Sequence, residues 1–285
     1  MSSNHQIIPP RQRDIGETTV RRSLPFAKRR MIGPFIFWDH MGPMTIQPDA
    51  PLTVKAHPHI GLSTLTYLFE GEMLHRDSLG NELTIRPGEV NWMTAGKGIA
   101  HSERTRAPET MVLEGLQLWV ALPTEWEMKA PAFQHVDTLP DVEFGGQPFR
   151  LIAGSINGQT SPVATYSDLV LLDGKFEDAT VLTVPTIAGF ELGLYVAGGA
   201  VVVDNETHNE GTMIAFAPDQ EAHVQVRPGS RIQILGGRPF PEPRHIWWNF
   251  VASDPAMIEQ AKQDWMEDRM GSVIHEDERL PLPER

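Results

Sequence analysis

Short runs rich in β-branched and aromatic residues alternate with turn signals through the first half of the chain. One run, STLTYLF at residues 63–69, ends at Glu70-Gly71. Such side chains favour strands, and HRDSLGN at residues 75–81 predicts a loop because its Gly-Asn pair favours a turn. Three further strands are predicted in this half, at residues 83–85, 90–93 and 116–120. This half is therefore expected to be all-β.

The stretch from Thr124 to Gly146 is looser and rich in proline and glycine, which predicts a domain boundary. A second strand-rich half begins with FRLIA at residues 149–153. We predict an N-terminal domain of residues 1–135 and a C-terminal domain of residues 136–285.

The two halves resemble weak internal repeats. The matching pairs are residues 67–71 with 195–199, Gly88 with Gly211, and residues 95–101 with 217–223. Two duplicated β-barrels would explain this similarity.

One helix is predicted near the C-terminus. Asp254 is a suitable N-cap, Pro255 suits the first helical position, and Gly271 lies just beyond the end. At helical spacing, one face carries Ile258, Ala261, Trp265 and Met266. We interpret this stripe as packing against a barrel, with a partner site as the alternative.

Composition limits the chemistry that the chain can perform. It has 285 residues, 40% of them hydrophobic and 21% charged, which is the balance of a globular protein. The absence of cysteine excludes disulfides, thiolate metal ligands and cysteine nucleophiles. No run approaches the roughly 18 apolar residues of a membrane span, and the start MSSNHQIIPPRQR has no secretory signal. We therefore expect a cytoplasmic protein with no membrane partner.

The formal net charge of −13 argues against direct binding of nucleic acid, which requires a basic surface. A small basic cluster comprises Arg21, Arg22, Lys28, Arg29 and Arg30. We interpret it as a solvated face, with an anionic partner or substrate as the alternative.

Two pairs of potential metal ligands stand out, His57-Pro-His59 and His101-Ser-Glu103. Residues two apart on a strand share a face, so each pair can hold one ion. Imidazole nitrogen and carboxylate oxygen are ligands that first-row divalent metals accept without thiolate. If the two strands face each other, four ligands converge, and an octahedral ion keeps two open positions.

Other candidates rank lower. His40, beside Asp39, is interpreted as part of a structural turn, with the mouth of the metal pocket as the alternative. His75 with Asp77 is expected to fix a loop by hydrogen bonds, with a metal-ligand role as the alternative. The remaining candidates are Trp92 and Met93, as pocket wall or plain core, and His208, His245 and His275, as surface residues.

The segments HPHIGLSTLTYLFEGEMLHRDSLGN and PGEVNWMTAGKGIAHSE, with FIFWDHMGP before them, resemble the pirin family of the cupin superfamily. The resemblance runs from about Arg21 to Trp119 and is looser in the second half. It implies an all-β fold of two cupin barrels (double-stranded β-helices) with short helices. It also implies one metal ion, usually iron, in the N-terminal barrel.

The ligands that this resemblance implies are His57, His59, His101 and Glu103, with Fe(II) as the expected metal and Ni, Cu, Mn, Co or Zn as alternatives. Several pirins are similar to quercetin 2,3-dioxygenases, which implies a flavonol-like aromatic substrate and dioxygen. Glu103 would then be the catalytic base that takes the substrate hydroxyl proton. The alternatives are a non-enzymatic iron-binding regulator of a transcription factor or metabolic enzyme, acting through protein contact, and a structural metal site.

The chain departs from the family pattern at Ser63, where many pirins have a glutamate. In the second half, counting back from Tyr195 places Pro185 and Ile187 at the positions of His57 and His59. His223 then echoes His101, with Gln225 in place of Glu103. We expect the C-terminal barrel to be metal-free, because one ligand in four does not hold an ion tightly.

Overall fold

The structure of the protein is a computed structural model that describes residues 5–15, 18–106 and 108–284. The regular elements of these residues are mostly strands, with one α-helix, α1 (Pro255–Met266), and a single 3-10 turn at Thr124–Trp126. The prediction of an all-β fold with a helix near the C-terminus is confirmed. Within these ranges no helix has the length and apolar character needed to cross a membrane.

The strands, in chain order, are β1 (His5–Ile8), β2 (Arg11–Asp14), β3 (Thr19–Leu24), β4 (Phe35–Ile46), β5 (Thr53–His59), β6 (Leu62–Glu70), β7 (Met73–Asp77), β8 (Glu82–Ile85), β9 (Val90–Thr94), β10 (Ile99–Arg104), β11 (Met111–Ala121), β12 (Ala132–Val136), β13 (Asp141–Phe144), β14 (Gln147–Ile156), β15 (Gln159–Thr160), β16 (Leu169–Phe176), β17 (Thr180–Val184), β18 (Glu191–Gly198), β19 (Ala200–Val203), β20 (Glu206–Asn209), β21 (Met213–Phe216), β22 (Ala222–Val226), β23 (Ser230–Gly237), β24 (His245–Trp247) and β25 (Phe250–Ala252).

The described chain divides into two compact units. The first unit contains the described parts of residues 14–20, 41–137 and 241–284, and the second contains residues 5–13, 21–40 and 138–240. The predicted division after residue 135 differs from this one at both chain ends. The reason is tertiary pairing, since β1 pairs with β21 of the second unit and β25 contacts β5 and β6 of the first.

Each unit is built on two sheets with matching strand orders. In the first unit the smaller sheet has the order β5-β10-β7-β8, and the larger sheet begins β12-β9-β6-β11-β4. In the second unit the smaller sheet has the order β17-β22-β19-β20, and β21-β18-β23 lie together in the larger sheet. The expected duplication of two cupin domains is confirmed by this correspondence. Each domain is a jelly roll of two sheets rather than a closed barrel.

The loop predicted at residues 75–81 is shorter than expected. Strand β7 continues to Asp77, because His75 and Asp77 pair with Glu103 and His101 of β10. Pairing with a neighbouring strand therefore overrides the local turn signal until Ser78.

Helix α1 begins as predicted, with the Asp254 side chain accepting a hydrogen bond from the backbone N–H of Ala256. Its buried face carries Ile258, Ala261 and Trp265, which pack with Phe250 and other residues of the first unit. Met266 was predicted on this face but is 60% exposed. Met266 follows Trp265 directly, and successive helical residues lie about 100° apart around the axis, so its side chain points away from the buried face.

The basic cluster is less solvated than predicted. Arg22 donates two hydrogen bonds of 2.7 Å to Asp39, and Arg29 lies 3.1 Å from Glu191 in an ion pair. Arg21 forms an ion pair with Glu210. Only Lys28 and Arg30 of the cluster are exposed, so the solvated-face prediction is wrong for most of it.

Two glycines with positive φ provide a matched test of backbone packing. At Gly61 (φ +68°) an added Cβ would lie 1.9 Å from the carbonyl oxygen of Val251, whereas at Gly80 (φ +91°) it would meet nothing within 4 Å. We expect Gly80→Ala to lower the free energy of unfolding by about 1–2 kcal/mol, the cost of the backbone conformation alone. Gly61→Ala should lose at least about 2 kcal/mol more because the backbone must shift. Urea unfolding measures both, and equal losses would contradict the packing described here.

Candidate metal centre

The predicted ligands lie on two neighbouring antiparallel strands of the smaller sheet in the first unit. His57 and His59 end β5, and His101 and Glu103 lie on β10, with His101 directly opposite His57. All four side chains are buried. The alternation of strand side chains therefore directs the two pairs to one face of the sheet, as predicted from their spacing.

The pairing of these strands contains a β-bulge. His101 pairs with His57, but Glu103 pairs with Val54, so Lys55 and Ala56 together oppose the single residue Ser102. A bulge of this kind changes the direction of nearby side chains and interrupts the ladder of hydrogen bonds. It lies between His101 and Glu103 on β10 and directly before His57 on β5.

Three imidazoles converge at this point. One nitrogen each from His57, His59 and His101 lies within 4.8 Å of the other two, and among the residues that the structure describes this is the group with metal-ligand geometry. The ring centroids of His57 and His101 are 4.4 Å apart, and those of His59 and His101 are 5.0 Å apart. The sequence-predicted histidines are thus brought together in space.

Backbone carbonyls fix the orientation of two of the rings. The Nδ1 atom of His57 lies 2.8 Å from the carbonyl oxygen of Lys55, at the bulge, and that of His59 lies 3.1 Å from the carbonyl oxygen of Asn249. A carbonyl oxygen only accepts hydrogen bonds, so Nδ1 carries the proton in both rings. The Nε2 lone pairs are therefore free to bind a cation.

The Asn249 carbonyl is presented by a strained hairpin turn. Trp247 and Phe250 pair across the β24–β25 hairpin, and Trp248 between them has φ +51°. A bulky residue in the left-handed region is uncommon and costs energy. Sequence reasoning missed this contribution, because nothing local to Asn249 marks it as a neighbour of His59.

Burial keeps the three imidazoles uncharged. It lowers the pKa of His57 to about 4, and it lowers the pKa values of His59 and His101 well below the usual range, with further lowering from the neighbouring histidines. A neutral imidazole is the form that binds metals, because its second nitrogen keeps a lone pair.

The separation of the rings fits a metal ion. The Nε2 atoms of His59 and His101 are 3.1 Å apart. Two imidazole nitrogens bound at roughly 2.1 Å and at a right angle lie about 3.0 Å apart. Since His59 carries its proton on Nδ1, a cation between the two Nε2 atoms would satisfy lone pairs that otherwise face each other.

Glu103 lies near this group but is not one of its three members. Burial raises the pKa of its carboxyl group, with smaller lowering effects from His75, Thr66 and Gln117. The hydroxyl of Thr66 lies 3.4 Å from Glu103 Oε1 and donates a 2.8 Å hydrogen bond to Gln117 Oε1. Glu103 is thus a buried carboxyl group that binds protons more readily than an exposed glutamate.

His75 extends the site on the side away from His57. Its Nε2 lies 3.2 Å from Asp77 Oδ2, and its Nδ1 lies 3.5 Å from Nδ1 of His101. An ionised carboxylate only accepts, so the Nε2–H of His75 donates to Asp77 and its Nδ1 faces His101. Asp77 also accepts hydrogen bonds from Leu79 and Asn81, which confirms its predicted role in fixing the loop. The link to His101 was not predicted.

One apolar row of the larger sheet faces the histidines. The Phe133 ring stacks on His75 with centroids 4.5 Å apart, and Trp119 contacts His59 at 5.2 Å. Met93 pairs with Phe133 across β9 and β12 and so shares its side of the sheet. Adjacent residues of a strand face opposite ways, so Trp92 belongs to the core instead, where its indole N–H donates to Thr94.

Comparison with known proteins decides the family. The Pirin family profile matches residues 17–120, and the profile of the Pirin C-terminal cupin domain matches residues 171–271. A pirin-like protein of Caulobacter vibrioides is 46% identical over 286 aligned positions, which cover 98% of this chain and 99% of the relative. The chain belongs to the pirin family.

Two solved structures are similar to this pirin. A quercetin 2,3-dioxygenase from Acinetobacter baumannii aligns with a TM-score of 0.92 and 36% identity, covering 99% of this chain and 95% of that one. A bacterial pirin from Escherichia coli in complex with nickel(II) aligns with a TM-score of 0.66 and 18% identity, covering 83% of this chain and 100% of that one. At that identity the second likeness concerns the fold alone.

Ser63, where the sequence departs from the expected pattern, has a hydrogen-bonding partner on the neighbouring strand. Ser63 lies on β6 and is fully buried, and its hydroxyl is 3.0 Å from that of Thr94 on the neighbouring strand β9.

In the second unit, strand register identifies the counterparts of the ligands. His223 pairs with Thr183 across β22 and β17 as His101 pairs with His57, so Thr183 and Pro185 replace His57 and His59. The predicted counterparts, Pro185 and Ile187, are therefore displaced by two residues. The prediction counted back from Tyr195 as from Tyr67, and the number of residues between the tyrosine and the ligand positions differs between the two units. His223 is solvent-exposed, with 68% of its side chain accessible.

Two histidines assigned from sequence lie in other surroundings. His40 is in strand β4 rather than a turn, and its Nδ1 is 3.0 Å from the hydroxyl of Tyr195. His208 was predicted to be a surface residue but is only 7% exposed. Pairing in the sheets buries both, and His245 and His275 are exposed as predicted.

The lowered pKa of His57 predicts how the metal-free protein responds to pH. In the unfolded chain this ring titrates near pH 6.5, and in the folded protein its pKa is about 4. Below about pH 6.5 the unfolded chain binds more protons than the folded protein does. The free energy of unfolding therefore falls as the pH drops from about 6.5 towards about 4. Urea unfolding of the metal-free protein should show this loss, and a smaller loss in His57→Gln. An equal slope in the two proteins would contradict a neutral, buried His57.

Proposed function

We propose that this pirin binds one divalent metal ion, Fe(II) in the cell, through His57, His59, His101 and Glu103. The observation that carries the proposal is the convergence of three buried, neutral imidazoles with two Nε2 atoms 3.1 Å apart. Imidazole and carboxylate donors accept iron, nickel, copper and zinc, so the ligand set supports a first-row metal. The preference for iron rests on the resemblance to other pirins.

We further propose that the metal-loaded protein is a dioxygenase of the quercetin 2,3-dioxygenase type, acting on flavonol-like aromatic substrates. Its support is the likeness to the quercetin 2,3-dioxygenase from Acinetobacter baumannii over almost the whole chain. When bound, the metal supplies Lewis acidity towards an oxygen-bearing substrate. Side chains of the first unit would accept the substrate proton and contact the aromatic ring.

In this proposal Glu103 accepts the proton of a substrate hydroxyl group. Burial raises the pKa of Glu103, which makes its ionised form a stronger base than an exposed glutamate. Thr66 and Gln117 hold the carboxyl group in place. Phe133 and Trp119, on the apolar row that faces the histidines, offer flat surfaces to an aromatic ring.

The ligand assignment predicts which substitutions remove the metal. His57→Ala and His101→Ala should each lower bound metal from one ion per chain to a small fraction, since the remaining donors hold an ion far less tightly. The matched control is His223→Ala, the counterpart of His101 in the second unit, which should leave metal content unchanged. Elemental analysis of the purified proteins measures this. Full metal content in the His57→Ala, His101→Ala double variant would refute the site.

The role of Glu103 predicts a loss of turnover. With saturating metal, Glu103→Gln should lower kcat for quercetin by about 10²–10⁴-fold, because an amide cannot accept the proton. The exposed Glu125→Gln serves as the control and should retain wild-type activity. Quercetin absorbance and oxygen uptake follow the reaction under iron, nickel or copper loading. Tight metal binding without turnover in the wild-type protein would refute the dioxygenase and favour the regulatory alternative.

A further inference from the structure

The chain after helix α1 crosses the edge of the metal-site sheet. We call residues 275–280 the C-terminal strap. Arg279 forms a parallel bridge with Ala56 of β5, and the backbone N–H of Leu280 donates a 2.8 Å hydrogen bond to the Ala56 carbonyl. The Leu280 carbonyl in turn accepts a 2.9 Å hydrogen bond from the Trp265 indole. The C-terminal end of the strap is thus fixed both to the helix and to a ligand strand.

The carboxylate of Glu276, in the strap, accepts hydrogen bonds from three side chains. Its side chain is only 2% exposed and accepts hydrogen bonds from Arg76 Nη1 at 3.0 Å, Ser102 Oγ at 2.9 Å and Arg104 Nε at 2.7 Å. Arg104 Nη2 makes a further contact with its second oxygen. A buried carboxylate with charged partners holds its surroundings firmly, because leaving any of these groups unpaired is costly.

The partners of Glu276 alternate along the strands with the residues of the metal centre. Arg76 stands between His75 and Asp77 on β7, while Ser102 and Arg104 flank Glu103 on β10. Ser102 and Arg76 are direct cross-strand partners. Since successive side chains point to opposite faces, Glu276 binds the back of the sheet whose front carries the histidines.

The strap also holds both sides of the bulge that lies beside His57, between His101 and Glu103. Ser102 is the single residue of β10 that faces the bulge, and Ala56 is one of the two residues of β5 that form it. Glu276 binds Ser102, and Leu280 binds Ala56. Lys55, the other bulge residue, supplies the carbonyl that orients His57. The geometry of His57 relative to His101 and Glu103 therefore depends on a bulge that the strap secures from behind.

We propose that Glu276 is a positioning residue of the metal centre, which sets the spacing of the ligands on β5 and β10 without touching the ion. The inference rests on the proposed metal site. Loss of the carboxylate charge removes the anion that two guanidinium groups and the Ser102 hydroxyl share, and an amide in its place turns an N–H donor towards Arg104. Strands β7 and β10 then lose the restraint that aligns His101 and Glu103 with His57.

The test compares Glu276→Gln with Glu278→Gln, a matched variant two residues along the strap whose carboxylate is 66% exposed and pairs with Lys55. Cobalt(II) is the probe, because its visible absorption reports the geometry of the ligands. Chelator competition should show cobalt binding about 10–100-fold weaker in Glu276→Gln, with an altered visible spectrum. Glu278→Gln should match the wild-type protein in both measurements.

Circular dichroism of the metal-free proteins separates this effect from a loss of folding. If Glu276→Gln does not fold, Ser102→Ala carries the same test, since it removes one bond to the strap and should also weaken cobalt binding and change the spectrum. Wild-type affinity and an unchanged spectrum in the folded variant would overturn the positioning role alone. Failure of the wild-type protein to bind cobalt would overturn the metal site and the positioning role together.

Discussion

Three imidazole rings can share a buried site only if they remain uncharged, and the rest of the metal centre follows from that constraint. Burial lowers the pKa values of His57, His59 and His101, so each ring keeps a free lone pair at neutral pH. A buried N–H needs an acceptor, and the carbonyls of Lys55 and Asn249 supply two of them. The same hydrogen bonds select the tautomer that directs Nε2 inwards.

Much of the support for this site comes from distant parts of the chain. The carbonyl that orients His59 lies 190 residues away from it, and the carboxylate of Glu276 lies 174 residues from Ser102. Asn249 and Glu276 both belong to the C-terminal segment that begins at residue 241, and this segment is part of the first unit. The strained turn at Trp248 fits this arrangement, because strain persists only where the surrounding structure compensates for it.

The second unit shows that the fold itself does not require the metal ligands. Its smaller sheet has the same strand order as that of the first unit, yet Thr183 and Gln225 stand where His57 and Glu103 would be. Its core is filled by apolar side chains such as Leu182 and Val224. A jelly roll is thus stabilised by its apolar interior, and the chemistry resides in a few side chains on one sheet.

The sequence by itself determined the strand-rich fold, the duplication, helix α1 and the pairs His57/His59 and His101/Glu103, because each depends on residue type and spacing within a short segment. Only the tertiary structure decided the bulge at Lys55–Ala56, the contact of His75 with His101 and the burial of His208. It also decided that the N-terminal strand belongs to the second unit and the C-terminal segment to the first. These features depend on strand register and on contacts between residues far apart in sequence. Local periodicity contains no information about either.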